Sequence, residues 1–321
     1  MKIVMNALVY DGTLQYVRDY PAPEPQNNEA LIKVSYGGIC NTDIEITKGY
    51  MGFKGVLGHE FVGVVKKCSD KALLGKRVVG EINIGCGRCT FCLGKRHNHC
   101  PKRQVLGILN KDGVFAEYAT LPMENLHTIP DTISDEEAVF VEPLAAAYEI
   151  FKQITVTSSE RVCVLGDGKL GNLVAQALAA KGSAPIVVGK HPEKLSLLEE
   201  MDIHAKLNQN FMDRDFDVVI DCTGSPSGIK RAIQLVRPEG TIVLKTTVAR
   251  NAQVDLNQLV IHEIKLIGSR CGPFSDAIEA IRSRQVDLSP LISGVFPLSE
   301  GIRAFQDGLR KDTLKVLLKI E

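Results

Sequence analysis

Two textures of hydrophobic patterning divide this chain. Up to about Pro130 the apolar residues fall in short strand-like runs: Ala30 to Val34, Phe61 to Val65, Arg77 to Val79 and Phe115 to Tyr118. Gly, Pro and Asn punctuate them, and Pro21-Ala22-Pro23-Glu24-Pro25 reads as a stiff turn or edge segment. This is the pattern of an irregular β domain. From about Leu144 the texture changes. Leu144 to Tyr148 are mostly good helix formers. Apolar strands then alternate with helices. Strands are predicted at Arg161 to Leu165, Ile186 to Val188, Asp217 to Asp221, Thr241 to Leu244 and Ile264 to Gly268. Helices are predicted at Asn172 to Ala180, closed by Gly182, and at Glu193 to Met201. Such alternation with buried apolar strands indicates a doubly wound parallel sheet, so the fold class is α/β. From about Pro273 the mixed texture returns, and the tail is expected to rejoin the first domain. The expected boundaries are 1–143 with 271–321 for the β-rich domain and 144–270 for the parallel sheet.

Composition narrows the partners. A length of 321 residues suits about two domains. Lys plus Arg and Asp plus Glu balance at 38 each, so no global charge argues for nucleic acid or a membrane surface, though a local basic site stays open. Met1 to Asp11 alternates like a strand and lacks the apolar core of a signal peptide. No run of 18 apolar residues predicts a membrane span. A cytoplasmic location is expected. Four of the nine cysteines crowd between Cys86 and Cys100, and without a secretion signal they read better as metal ligands than as disulfides.

Three constellations carry chemistry. Gly166-Asp167-Gly168-Lys169-Leu170-Gly171 fits G-x-G-x-x-G and stands between an apolar strand and a helix, the context of a dinucleotide phosphate turn. An NAD site usually places an acid about 20 residues further on. Here stand Gly189, Lys190 and His191, with no carboxylate to repel a 2′-phosphate and a cation to pair with it, so NADP(H) is expected over NAD(H). Cys222, Thr223 and Gly224 follow the strand at Asp217 to Asp221 and are counted with the cofactor site. The second constellation is Cys86-x2-Cys89-x2-Cys92-x7-Cys100, within a lobe at about 85–101. Four thiolates can close a tetrahedron around zinc and leave no open position, which makes the role structural. An iron–sulfur cluster and redox-active thiols are the competing readings. The third is Cys40, His59 and Glu142, ligand types of a catalytic zinc. Singly, each has a plainer reading: a buried filler, a satisfied core histidine, a helix N-terminal charge.

The combination resembles the zinc-containing medium-chain dehydrogenases, over essentially the whole chain. The resemblance rests on Gly38-Ile39-Cys40-x-Thr42-Asp43, Gly58-His59-Glu60-Phe61-x-Gly63-x-Val65, the four-cysteine lobe, Asp112-Gly113-x-Phe115-Ala116-Glu117-Tyr118, Glu142-Pro143-Leu144 and the glycine turn. It is nearest to the polyol, threonine and glucose dehydrogenases, because Glu142 stands where simple alcohol dehydrogenases usually have cysteine. The resemblance implies a GroES-like catalytic domain and a Rossmann domain. It implies two zinc ions per chain, a nicotinamide cofactor and a homodimer or homotetramer. The substrate would be a secondary alcohol, polyol or sugar, or the matching carbonyl. Cys40, His59 and Glu142 would be zinc ligands, with Glu60 an alternate ligand or close carboxylate. Asp43 would hold the imidazole of His59, and Thr42 would pass the alcohol proton toward the cofactor ribose. Many relatives have a histidine three residues after the relay hydroxyl; this chain has Glu45, a candidate exit for the proton. The rival readings are a zinc-independent enone or quinone reductase of the same fold, and a non-enzymatic NADPH-binding sensor.

Overall fold

The computed structural model describes residues 3–247 and 251–321. The chain forms two compact units, one of Met1–Glu142 with Ile292–Glu321, the other of Pro143–Leu291. The expected opening strand is Val4–Tyr10, and the first two residues of that reading lie outside the described residues.

The first unit is organised by one long strand, Glu29–Ile39. Its inward residues Ala30, Ile32 and Val34 alternate with more exposed ones, the period of a half-buried strand. Glu60–Lys67 pairs antiparallel along one edge, with Gly38 opposite Glu60. The other edge is shared. Tyr118–Pro122 pairs with Glu29 to Lys33, and Lys315–Lys319 pairs with Tyr36 to Ile39. The end of the long strand, where Cys40 follows, is therefore flanked by the first residues of two other strands, Glu60 and Lys315. The strand expected at Phe115 starts only at Tyr118. Before it, the backbone bonds outward instead: Phe115 N–H donates to Leu57 O (2.9 Å) and Phe115 O accepts from Leu8 N–H (2.7 Å).

The second unit holds a six-stranded, all-parallel sheet. Its spatial order is His204–Leu207, Ile186–Gly189, Val162–Leu165, Phe216–Asp221, Val236–Leu244, Lys265–Gly268. The first strand in sequence lies at the centre and the winding reverses there, the doubly wound arrangement of a Rossmann fold. All four residues of Val162–Leu165 are buried. Burying one such aliphatic side chain stabilises the fold by about 1.5–3 kcal/mol. Helix Lys169–Ala180 follows and buries Leu173, Val174, Ala177 and Leu178. Sequence reading missed the strand His204–Leu207, whose alternating His204 and Lys206 are exposed on a sheet edge. The expected return near residue 271 falls later. Helix Phe274–Arg282 stays with the second unit, and Gln176 grips the backbone of Asp287 through both its amide groups (3.0 and 2.7 Å). No helix among the described residues is long and apolar enough to cross a membrane.

Candidate metal centres and dinucleotide site

Cys40 ends the long strand and caps the helix Asn41–Ile46. Asp43, in the first turn of that helix, is fully buried and spends its carboxylate on three neighbours. Oδ2 accepts from Cys40 N–H (2.8 Å), Oδ1 accepts from Gly58 N–H (3.2 Å), and Oδ1 lies 3.2 Å from His59 Nδ1. One carboxylate thus bonds the Cys40 backbone and lies against the His59 ring, whose Nδ1 has no well-aligned hydrogen bond. Burial pulls the His59 imidazole down, but Asp43 and Cys40 outweigh it and leave the ring well above its ordinary value.

Donor atoms of Cys40, His59 and Glu60 lie within 4.8 Å of one another. The third member of the cluster is Glu60, not the expected Glu142. Glu142 lies in the first turn of helix Val141–Tyr148, and its charge is felt at Lys315. Glu60 Oε2 pairs with the ammonium of Lys315, while Glu60 Oε1 is buried with no hydrogen-bond partner. A buried carboxylate oxygen with no donor is costly unless a cation serves it. A thiol, an imidazole and that oxygen form a donor set suited to zinc. Lys315 is fully buried, and its ammonium lies 5.6 Å from the ring centre of Phe140. Burial pulls this lysine down, yet the charges of Glu60, Cys40 and Glu142 raise it above its ordinary value. Sequence reading missed Lys315, because a lysine opening the strand Lys315–Lys319 reads as a solvated end.

Thr42 sits beside the cluster, with its Oγ1 3.7 Å from Cys40 Sγ. Glu45 is ion-paired with Lys48 (2.9 Å). A cavity of about 600 Å³ has Met51 and Phe53 in its wall, with Lys111, Asp112 and Thr120. Neither Tyr50 nor any of Cys40, His59 and Glu60 lines it.

The four cysteines of the lobe also converge, their sulfurs within 4.8 Å of one another, and all are free thiols. Cys89 caps the short helix Thr90–Leu93 and its Sγ lies 3.5 Å from that of Cys92. Backbone amides of Arg88 and Cys89 pull the Cys86 thiol down to about 6. Burial pushes Cys92 up to about 11, so a cation is needed to make that thiol a ligand at neutral pH. The set fits a closed zinc site.

The glycine turn has the geometry of a phosphate cradle. Gly166 has φ +113, and a Cβ on Gly171 would stand 1.9 Å from Gly166 O, so strand and helix meet without side chains between them. A Cβ on Gly168 would meet nothing within 4 Å, which leaves open space at the start of the helix Lys169–Ala180. That space and the helix N-terminus fit a dinucleotide pyrophosphate. The Cys222-to-Gly224 loop lies beside Gly166, Cys222 N–H donating to Leu165 O (2.8 Å). Asp221 orders it by accepting from Thr223 N–H (2.9 Å) and Thr223 Oγ1 (2.7 Å).

At the end of the second strand the structure corrects the sequence argument. No carboxylate was expected beside Gly189, Lys190 and His191. The space beside Gly189 is filled by Asp167, the second residue of the glycine turn. A Cβ on Gly189 would come within 2.3 Å of its Oδ2. Asp167 Oδ2 accepts from Lys190 N–H (2.5 Å) and His191 N–H (2.7 Å), and Oδ1 lies 3.0 Å from His191 Nδ1. Nothing in the one-dimensional pattern marked Asp167, because its partners lie 23 and 24 residues away.

The doubly wound sheet with its phosphate turn and the two donor sets define a class: a metal-dependent dehydrogenase that uses a dinucleotide. Comparison with known proteins agrees. Residues 26–131 match the alcohol dehydrogenase GroES-like domain and residues 170–284 match the zinc-binding dehydrogenase domain. The chain is 28% identical to a sorbitol dehydrogenase of Halalkalibacterium halodurans, covering 98% of this chain and 99% of that one. Its fold is similar to that of a putative zinc-binding dehydrogenase from Sinorhizobium meliloti bound to NADP (TM-score 0.89, 27% identity, 99% and 100% covered). It is equally similar to a short chain alcohol dehydrogenase from E. coli CFT073 complexed with NADH (TM-score 0.89, 27% identity, 98% and 99% covered). The chain belongs to the zinc-containing medium-chain dehydrogenase family, on its polyol dehydrogenase branch, and is an oxidoreductase acting on CH–OH groups.

Proposed function

We propose that this enzyme interconverts a secondary alcohol, polyol or sugar with its ketone or aldehyde, using zinc and a nicotinamide dinucleotide. The observation that carries the reading is the convergence of Cys40, His59 and the unpartnered Glu60 Oε1 over a carboxylate, Asp43, that holds the first two in place. Cys40, His59 and Glu60 would hold the catalytic zinc, with Glu142 in reserve. Cys86, Cys89, Cys92 and Cys100 would hold the structural one. When bound, zinc supplies Lewis acidity at the substrate oxygen and the nicotinamide ring supplies the hydride acceptor or donor. Asp43 keeps the imidazole of His59 oriented. Thr42 Oγ1, beside Cys40, would take the hydroxyl proton from the substrate. Glu45 is engaged by Lys48, and we give it no part in that path. Gly166, Gly168, Lys169, Leu170 and Gly171 would cradle the pyrophosphate, with Cys222, Thr223 and Gly224 beside them.

The expected preference for NADP(H) loses one of its two premises, the lack of a carboxylate, once Asp167 is seen at Gly189, and NAD(H) is the better fit to a negative charge there. The intact donor cluster weighs against the zinc-independent reductase and the sensor. We further propose a homo-oligomer. Lys265–Gly268 pairs only with Val236–Leu244 among the described residues, and Val260, Ile261 and Leu266 beside it are exposed. Nine cysteines, none joined in a disulfide, suit the reducing cytoplasm. The decisive experiment measures metal content, then screens polyols, sugars and secondary alcohols by reduced-cofactor absorbance. Two zinc ions per chain with turnover of at least one such alcohol is the expected result. One zinc and turnover only of enones or quinones would overturn it.

A further inference from the structure

The end of the strand Ile186–Gly189 is built to receive an anion, and the protein supplies that anion itself. Two successive backbone N–H groups, of Lys190 and His191, point at one oxygen of Asp167, and the ring of His191 lies against the other. The N-terminus of helix Pro192–Glu200 follows directly. Asp167 is 6% exposed, so the carboxylate is packed into this place and not merely passing over it. Gly189 is the complement: any larger residue would overlap the carboxylate. The same residue sits inside the turn that fits the pyrophosphate, between Gly166 and Gly168.

We propose that Asp167 sets the discrimination between NAD(H) and NADP(H), by occupying with an internal carboxylate the amide-lined place that a 2′-phosphate would otherwise take. This rests on the dinucleotide reading of the glycine turn. In a parallel sheet of this winding the adenosine ribose is met at the end of the second strand. The residue that reads it is ordinarily carried by that strand. Here the strand ends in glycine, and the charge comes from the phosphate turn that follows the neighbouring strand Val162–Leu165. The hydrogen bonds from His191 and Lys190, with the nearby imidazole, overcome the effect of burial and hold the carboxyl below its ordinary value, so the charge is present at neutral pH. A dianionic phosphate brought to the same amides meets both occupied donors and a like charge. A ribose hydroxyl does not, because it can donate to a carboxylate.

The test compares wild type with Asp167→Asn and Asp167→Ser by titrating NADH and NADPH directly, and by competition with 5′-AMP and adenosine 2′,5′-bisphosphate. Asparagine keeps the shape and one acceptor oxygen while removing the charge. Serine empties the place. The expected result is a rise in NADPH affinity relative to NADH on the order of ten-fold for asparagine, and at least as much for serine. The bisphosphate should follow NADPH. General loosening of the turn would weaken all four ligands together and leave the ratio unmoved, so the ratio separates specificity from stability. If both dinucleotides bind wild type and the ratio stays fixed or falls in both variants, the proposal is overturned. If neither binds wild type, the dinucleotide reading fails instead, and the role given to Asp167 falls with it.

Discussion

Replacing Lys315 by methionine isolates the worth of the buried pair beside the Cys40, His59 and Glu60 cluster. Lys315 and Glu60 are essentially inaccessible to solvent, with side-chain exposures of 0% and 1%. Methionine keeps most of the buried stem and removes the charge. Glu60 then loses its one hydrogen-bonding partner, since Oε1 already has none. Breaking a buried pair by removing one member costs about 3–5 kcal/mol, because the other charge is left uncompensated. At about 2–4 °C per kcal/mol for a unit of this size, the melting temperature should fall on the order of 10 °C. A zinc ion held by Cys40 and His59 would take up part of the freed charge. The loss should therefore be smaller at saturating zinc and larger in a Cys40→Ser background, where the lobe keeps its own metal. Thermal unfolding by circular dichroism reads both. Glu60→Gln combined with Lys315→Met should recover most of the loss, as a double-mutant cycle. A single variant within about 0.5 kcal/mol of wild type in both backgrounds would refute the reasoning.

Other expectations follow from the same geometry. Cys89→Ser should release one zinc per chain, measured by elemental analysis, and make the protein aggregate on heating while the other metal stays. Cys40→Ser or His59→Ala should abolish turnover on every accepted alcohol with the circular dichroism spectrum kept; retained activity would remove zinc from the mechanism. Gly171→Val, whose Cβ would stand 1.9 Å from Gly166 O, should lose binding of either dinucleotide by calorimetry. Asp167 contributes stability by being ionised, because its folded pKa lies below the ordinary 3.8. That contribution should be complete above the ordinary value and vanish as pH falls through the lowered one, so denaturant unfolding of wild type and Asp167→Asn should converge in acid. Val260→Asp with Ile261→Lys should shift light-scattering mass toward the monomer if the sheet edge is the interface.

Much of the fold was legible because its signals are local. The parallel sheet announced itself as buried apolar runs, and the glycine turn as three glycines between strand and helix. The four cysteines were readable for the same reason, since all lie within fifteen residues of one another. The Cys40, His59 and Glu60 cluster was legible only through motifs, because Cys40, His59 and Glu142 mean little singly. Its third member, Glu60, was named as the alternate and stands in the cluster. What stayed hidden depended on register and distance. Lys315 becomes a buried counter-charge only because its strand pairs with Tyr36 to Ile39, beside the strand that opens with Glu60. Asp167 acquires meaning only because the glycine turn and the end of the next strand lie side by side in the sheet. Periodicity shows which face a residue takes, not which distant chain segment meets it.

The pairing of Glu60 with Lys315 also has a temporal side. The two are separated by 255 residues, and the entire second unit is synthesised between them. At about 5–20 residues per second, roughly 10–50 s pass before Glu60 can meet its partner. Through that interval the nascent first unit lacks both the strand Lys315–Lys319 and the ammonium that pairs with Glu60. Cys40, His59 and Glu60 are then open on the side that Lys315 later covers. The strand Lys315–Lys319 adds to the sheet and brings the ammonium that pairs with Glu60. Metal acquired before this moment is held by a different electrostatic field from metal acquired after it. Stalled chains ending before and after Lys315 should therefore differ in the zinc they retain, and equal retention would show that the last strand has no part in loading.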